Sequence, residues 1–422
     1  MYKKTKLSNG LRLITVPKKG TKAVTVLVLV GAGSKYEIEE QKGISHLLEH
    51  MFFKGTKKRP SPLEVSKALD GVGGSYNAFT GEEYTGYYAK VEKSQLETAI
   101  EWVSDIFLNS TFPGKEMKKE KGVVIEEINM YNDIPMENVR ILWPKLLYGD
   151  QPAGWNIAGS KESVRNLERK DLLGYKENQY VGSNTIVCIA GNIDNDNAKK
   201  LTKKYFSPVK KGEAKDKLKV KEEQKEPQIL LQKQKTDQTH FCLGVRGYDI
   251  NSSKRYATQV LSNTLGGMMS SRLFVKIRGE LGLAYYVKTN ASSQTDTGYL
   301  LTRIGADNKK AEKAVEAVLG EYGRIRDEGI KDKELTRSKE NIKGNMALSL
   351  ESSDRLGFFY AKQELLKNDI ETPDDIYKEI DRVDPDEINK VTNDIFQPSG
   401  LNLAMIGPFN KKDNFKKILN KF

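Results

Sequence analysis

Apolar and polar positions follow a similar order in the two halves of the 422-residue chain. Each half opens with apolar strand-like runs, continues through helical and strand-like segments, and closes with a strand that ends at a glycine. The closing runs read NTIVCIAG and GLNLAMIG, and both halves contain a strand, a turn and an amphipathic helix in sequence, EYTGYYAKVEKSQLETAIEWVSDIF and DTGYLLTRIGADNKKAEKAVEAVLGEY. This repetition predicts two divergent copies of one α+β domain.

A charged segment separates the two copies. Residues 208–227 are mostly charged and contain few large apolar side chains, so we expect a linker that lies outside any packed core. The predicted domains are therefore residues 1–207 and residues 228–422, joined by this linker.

The run GISHLLEHMFFKG predicts a buried helix, because it is apolar nearly all round and ends at Gly55. His46 and His50 are four residues apart, so their imidazoles lie on one helix face, where both can bind a single zinc ion. Glu49 brings a carboxylate beside the same position, as a general base for a zinc-activated water requires. The alternative is an accidental pattern of two core histidines. It is disfavoured because the chain has only three histidines.

A third ligand is expected from the predicted helix KEMKKEKGVVIEEINMYND. Glu120 and Glu127 share one stripe of this helix, and a carboxylate on an inward stripe is costly unless it is paired or binds a metal. The apolar members of the stripe are predicted to be Val123, Val124, Met130 and Tyr131. We predict Glu127 as the third ligand and Glu120 as the partner that orients a ligand histidine. Glu126 falls on the opposite, solvated face. The alternative is a surface helix with ordinary acidic residues.

The second half has LGGMMSS where the first half has HLLEH, so a single zinc per chain is predicted. The remaining histidine, His240, has no neighbour at ligand spacing and is predicted to be structural. Cys188 and Cys242 each lie in an apolar strand-like run, which is typical of buried free thiols.

The net charge of +12 raises nucleic-acid binding as an alternative function. The lysines are mixed with glutamates and concentrate in the linker, and no recognition motif is visible, so we expect no nucleic-acid partner. No apolar run is long enough to span a membrane, and the N-terminal run is too short for a signal-peptide core. The sequence therefore predicts a cytoplasmic protein without a membrane association.

Together, these motifs resemble the pitrilysin group of inverted zinc peptidases, which includes the mitochondrial processing peptidase. The likeness rests on HLLEH, the following HMFFKGT, the segment GGSYNAFTGEEYTGYY and the position of Glu127 relative to His50. The likeness spans the whole chain, and the length of the chain is similar to that of proteins in the processing-peptidase-like branch. The resemblance implies two α/β-sandwich-like domains around a clam-shell chamber, and a zinc metalloendopeptidase that acts on peptides or unfolded polypeptides.

The resemblance also implies that the strand near Gly74 is an exposed edge, to which an extended substrate adds as another strand. The substrate-binding residues implied in this way are Gly74, Ser75, Asn77, Ala78 and Phe79. The alternative is an ordinary protected edge strand.

In the second half, IRGELGLAYYV is similar to the family's arginine and tyrosine that stabilise the oxyanion, here Arg278 and Tyr285. From the residues alone, they would be a surface charge and a packed strand residue. The resemblance implies a homodimer in which this pair completes the zinc site of the other copy. Two alternatives are a catalytically silent scaffold subunit and a subunit that is active only with a different partner chain.

Overall fold

The computed structural model describes residues 2–422 and divides them into two compact units. The first unit comprises residues 2–128, 155–218 and 348–370, and the second comprises residues 129–154, 219–347 and 371–422. The crossover at residues 218 and 219 falls inside the predicted linker, and residues 210–226 form no helix or strand.

Each unit contains one mixed β-sheet. Within the described residues, the first sheet has six strands in the order β1-β2-β6-β3-β5-β4, and the second has five in the order β7-β11-β8-β10-β9. The strands of the first sheet are β1 (Lys3–Lys6), β2 (Arg12–Pro17), β3 (Ala23–Val30), β4 (Ser75–Thr80), β5 (Thr85–Glu92) and β6 (Thr185–Gly191). Those of the second sheet are β7 (Gln228–Lys233), β8 (Gln238–Arg246), β9 (Ala284–Ser293), β10 (Gly298–Asp307) and β11 (Asn402–Gly407).

The two sheets repeat one topology. In the first, β2 and β6 run parallel, and the pairs β6–β3, β3–β5 and β5–β4 run antiparallel. In the second, β7 and β11 run parallel, and the pairs β11–β8, β8–β10 and β10–β9 run antiparallel. This common order confirms the predicted α+β class and the internal duplication.

Helices surround both sheets. Those in the described chain are α1 (Ile44–Met51), α2 (Pro62–Asp70), α3 (Leu96–Asn109), α4 (Gly114–Asp133), α5 (Pro135–Tyr148), α6 (Lys161–Asn166), α7 (Arg169–Gln179), α8 (Asn195–Phe206), α9 (Arg255–Gly266), α10 (Ala311–Glu328), α11 (Asp332–Ser349), α12 (Ser353–Lys367), α13 (Pro373–Arg382), α14 (Pro385–Ile395) and α15 (Asp413–Leu419).

The two units are not the contiguous halves predicted from the sequence, because two helices are exchanged. Helix α5 lies in the first half of the chain but belongs to the second unit, and α12 lies in the second half but belongs to the first unit. Each sheet is apolar on both faces, so each needs a second helical cover. In the first unit, Leu27 and Leu29 of β3 pack with Leu356 and Tyr360 of α12. In the second, α5 covers the equivalent face with Val139, Leu142, Trp143 and Leu147.

Candidate metal centre

Helix α1 carries the HLLEH motif with its apolar side inward. Ile44, Leu47, Leu48 and Met51 are fully buried, whereas His46, Glu49 and His50 lie on the partly exposed side. The sequence pattern predicts this helix correctly, although it ends at Met51 and not immediately before Gly55.

The start of α1 is fixed by a buried carboxylate. The amide N–H groups of Gly43 and Ser45 donate to the Glu37 side chain at 2.8 and 2.9 Å. Gly43 has φ of 89°, and a Cβ there would lie 2.6 Å from the carbonyl oxygen of Ala158, so only glycine fits. Glu37 therefore satisfies two of the unpaired amides that begin the helix.

His46, His50 and Glu127 converge on one point. Oε2 of Glu127 lies 3.6 Å from Nε2 of His46 and 3.7 Å from Nε2 of His50, and the three ligand atoms all lie within 4.8 Å of one another. These separations are too long for hydrogen bonds. They agree with tetrahedral zinc, whose bonds of about 2.0–2.2 Å place ligand atoms about 3.4 Å apart. Among residues 2–422, no other group of three such side chains meets this criterion.

The protonation of His46 also suits a metal ligand. Burial, and to a lesser degree the neighbouring His50, lowers the pKa of His46 to about 3, so its imidazole is neutral at physiological pH. Neutral imidazole is the form that binds zinc. The donor set of two imidazole nitrogens and one carboxylate oxygen therefore fits the ion that the sequence predicts.

Glu120 lies beside this group without joining it. Its Oε2 is 3.1 Å from Nδ1 of His50, and its Oε1 is 2.9 Å from Nζ of Lys54. Burial would raise the pKa of Glu120, but the bonds to His50 and Lys54 hold it below its ordinary value. An ionised Glu120 would fix the His50 ring with Nε2 toward Glu127, which is the role that the sequence assigns to Glu120 as a prediction.

The inward stripe of α4 differs from the predicted one. Its buried residues are Met117, Glu120, Val124 and Ile128, and Glu127 lies beside Ile128 on the same side. Val123 and Met130 are 49% and 48% exposed, so their predicted burial is wrong. Apolar residues occur on more than one side of α4, so their positions in the sequence are not enough to identify the side that faces inward. Glu126 is exposed, as predicted.

Glu49 lies near His50 and Glu127 and also contacts β4. The Thr80 hydroxyl donates a hydrogen bond of 2.5 Å to its Oε2. Burial raises the pKa of Glu49, and the bond from Thr80 and the proximity of His50 offset only part of this effect. Thr80 is not among the site residues predicted from the sequence. The period-two alternation of β4, which places Tyr76, Ala78 and Thr80 on one face, is the signal that would have indicated it.

The predicted edge strand is confirmed, since β4 pairs only with β5 and ends the sheet. Asn77 is exposed, and its Oδ1 accepts a hydrogen bond of 2.9 Å from the backbone N–H of Ala78. The Phe79 ring packs on the opposite face, 5.4 Å from the ring of Phe358. Gly74, which is one of the five predicted substrate-binding residues, precedes β4. Its backbone N–H donates a hydrogen bond to the carbonyl oxygen of Leu69.

Arg278 and Tyr285 lie together in the second unit. Arg278 belongs to a π-helical segment, Phe274–Glu280, and its guanidinium carbon is 5.0 Å from the ring centroid of Tyr285. Tyr285 projects from β9, the edge strand of the second sheet, and is 76% exposed. It is therefore not the packed strand residue that the sequence alone would give. A stacked, exposed guanidinium and phenol leave their N–H and O–H groups available to a partner.

The remaining predictions concern residues outside this group. His240 is partly buried, with Nδ1 3.0 Å from the hydroxyl of Tyr286, as a structural histidine would be. Cys188 and Cys242 are buried free thiols, as predicted. Among residues 2–422, the helices include none that combines the length and apolarity needed to cross a membrane.

Two family profiles match most of the chain. The family profile described as insulinase (peptidase family M16) matches residues 12–160, and the profile described as the peptidase M16 inactive domain matches residues 166–342. The zinc-ligand candidates all lie in the first match.

Similar proteins span nearly the whole chain. A Bacillus subtilis protein named as an uncharacterized zinc protease, YmxG, is 36% identical over 408 residues, which cover 97% of this chain and 98% of that protein. A protein named as an uncharacterized zinc protease in Streptomyces coelicolor is 31% identical over 420 residues, 97% of this chain and 90% of that protein.

Solved structures show the same fold. The crystal structure of a protease from Helicobacter pylori superposes with a TM-score of 0.91 at 24% identity, covering 97% of this chain and 99% of that one. The structure titled peptidase M16 inactive domain from Pseudomonas fluorescens gives a TM-score of 0.89 at 16% identity, covering 97% and 98%. With relatives above 30% identity over almost the full length, the chain belongs to peptidase family M16.

Proposed function

We propose that this protein is a zinc metalloendopeptidase that hydrolyses internal bonds of peptides or unfolded polypeptide segments. The observation that carries the proposal is the convergence of His46, His50 and Glu127 with the carboxylate of Glu49 on the same helix. Three protein ligands leave a fourth position for water or substrate, which is typical of catalytic zinc. The family membership and the names of the relatives support the same reaction class.

Glu49 acts as the general base in this proposal. Its carboxylate takes a proton from the attacking water and later passes it to the leaving amine. When bound, zinc would polarise the scissile carbonyl and increase the acidity of water. Glu120 keeps the His50 ring in the orientation that its 3.1 Å contact defines.

The substrate would add to β4 as a further strand. Backbone hydrogen bonds from an edge strand hold an extended segment without demanding particular side chains, which suits varied peptide substrates. For a substrate carbonyl to use the Ala78 amide, the Asn77 side chain must rotate away from it. The extended strands of a folded protein are already paired within its own sheets, so unfolded substrates are favoured.

We also propose a homodimer in which the exposed Arg278 and Tyr285 of one copy donate to the oxyanion formed at the zinc site of the other. Their stacking at 5.0 Å holds the Arg278 guanidinium beside the Tyr285 phenol of the edge strand β9. Mixing His46→Ala and Tyr285→Phe chains tests this arrangement. Hybrid dimers contain one intact site, so partial recovery of activity is expected, and no recovery would contradict the shared site.

The reaction itself is tested with a library of quenched, unstructured peptides. The purified chain should cleave members of the library, lose activity when a chelator removes zinc, and regain it when zinc is restored. A chain that binds no zinc and cleaves nothing, alone or with a candidate partner chain, would support the scaffold alternative.

A further inference from the structure

We propose that Thr80 is the positioning residue for Glu49, holding the carboxylate of the general base in its working orientation. The proposal rests on the proposed function and adds a residue to it. Within residues 2–422, the Thr80 hydroxyl is the only hydrogen-bond donor to the Glu49 side chain. Without this bond, no hydrogen bond from the described residues would fix the rotation of the carboxylate.

Strand alternation directs Thr80 toward α1. Tyr76, four residues before Thr80 on β4, packs against Trp102 of α3 with 5.0 Å between the ring centroids. Ala78 packs against the same hydrophobic core as α1. Phe79 points to the other side of the sheet, against Phe358. Because side chains alternate along a strand, Thr80 shares the face of Tyr76 and Ala78 and meets Glu49.

The turn that follows Thr80 is held firmly in place. The amides of Ser34 and Lys35 donate to the carbonyls of Gly81 and Glu82 at 3.3 and 2.9 Å. The Lys35 ammonium also donates to Glu83 at 3.1 Å, and these two side chains are only 1% and 3% exposed. A buried, hydrogen-bonded ion pair permits little displacement, so the end of β4 cannot drift from α1.

The same short segment fixes the acceptor. Two residues after Lys35, the Glu37 carboxylate accepts the amides of Gly43 and Ser45 at the start of α1. Within this segment, the Lys35 side chain therefore binds the turn that follows Thr80, and the Glu37 side chain binds the start of the helix that carries Glu49. This double attachment sets the distance between the Thr80 hydroxyl and the Glu49 carboxylate before any substrate arrives.

The test compares two substitutions of Thr80. Thr80→Val keeps the shape but removes the hydroxyl, whereas Thr80→Ser keeps the hydroxyl and removes a methyl group. We expect Thr80→Val to lower kcat about 10- to 100-fold with KM within about a factor of two. Thr80→Ser should retain most of the activity. Zinc content and the melting temperature should match the wild type in both variants.

A second readout does not depend on activity. In crystal structures of the metal-free variants, the Glu49 carboxylate should leave its wild-type orientation in Thr80→Val and keep it in Thr80→Ser. Unchanged kcat in Thr80→Val, an equal loss in both variants, or an unmoved carboxylate in Thr80→Val would each overturn the proposal. If the wild type cleaves no peptide, the proposed function fails, and the crystal structures still decide whether Thr80 positions Glu49.

Discussion

Nδ1 of His50 lies 3.1 Å from Oε2 of Glu120, on the side of the ring opposite the atom that faces Glu127. Glu120 is itself held by Lys54 at 2.9 Å, which keeps its carboxylate ionised and in place. A charged acceptor at Nδ1 fixes the tautomer that leaves Nε2 free for the metal. The proposed function thus gives two glutamates of one helix different roles: Glu127 binds the metal, and Glu120 orients His50.

Replacing Glu120 should weaken zinc binding without abolishing it. We expect Glu120→Gln to lower zinc affinity about 10- to 100-fold, because the amide is neutral and does not favour the metal-binding tautomer to the same extent. Competition against a chromogenic chelator measures the affinity. Glu126→Gln, on the exposed side of the same helix, is the matched control and should bind zinc like the wild type. Equal affinities in both variants would show that Glu120 does not act through His50.

The buried pair between Lys35 and Glu83 should contribute strongly to folding. Lys35→Met leaves Glu83 buried, with Lys217 at 3.7 Å as the other cation near the same oxygen. We expect the free energy of unfolding to fall by about 3 kcal/mol, because the buried Glu83 carboxylate loses its nearest cation. Denaturant titration measures this change. Lys67→Met removes an exposed ion pair with Glu64 and should have little effect. Similar behaviour of the two variants would contradict the importance of the buried pair.

Glu37 should make stability depend on pH. Burial, opposed by hydrogen bonds from Gly43 and Ser45, raises the pKa of Glu37 from 4.5 to about 7. Between these values the folded chain retains a proton that the unfolded chain has lost, so the contribution of Glu37 is fully present below pH 4.5. It is lost as pH rises through 7, by about 3 kcal/mol at most.

This prediction is measured as a difference between the metal-free wild type and Glu37→Gln, from melting at several pH values. The lowered pKa of His46 changes the stability of the wild type and of Glu37→Gln in the same way, so its effect cancels when the two stabilities are subtracted. The wild type should lose stability relative to the variant as pH rises from about 4.5 to about 7. A difference independent of pH would show that Glu37 has an ordinary pKa.

The central group could be predicted because it depends on helical spacing and a chemical requirement. His46 and His50 share a face of α1 at a spacing of four, and a third ligand had to come from an inward carboxylate, which led to Glu127. The metal itself stays a prediction until it is measured. The burial of Val123 and Met130 was predicted wrongly because α4 has more apolar residues than its narrow inward side contains.

Other features could not be read from the chain because they depend on distant segments. Helices α5 and α12 are exchanged between the units because each sheet has a second apolar face to cover. The repeated pattern in the sequence does not indicate this exchange, since it suggests two contiguous domains. Lys35, Glu37 and Glu83 look like ordinary surface charges in the sequence. They are buried only because the segment before α1 packs against the turn after β4.

Zinc content and peptide hydrolysis, both measured on the same preparations of the wild type and of Glu49→Gln, decide whether Glu49 is the general base. Glu49 is not a ligand in this account, so both proteins should bind one zinc per chain. Hydrolysis of the peptide library should be at least about a hundredfold slower in Glu49→Gln, because the base that takes the proton is missing. Hydrolysis at the wild-type rate by a zinc-loaded Glu49→Gln protein would show that Glu49 is not the general base.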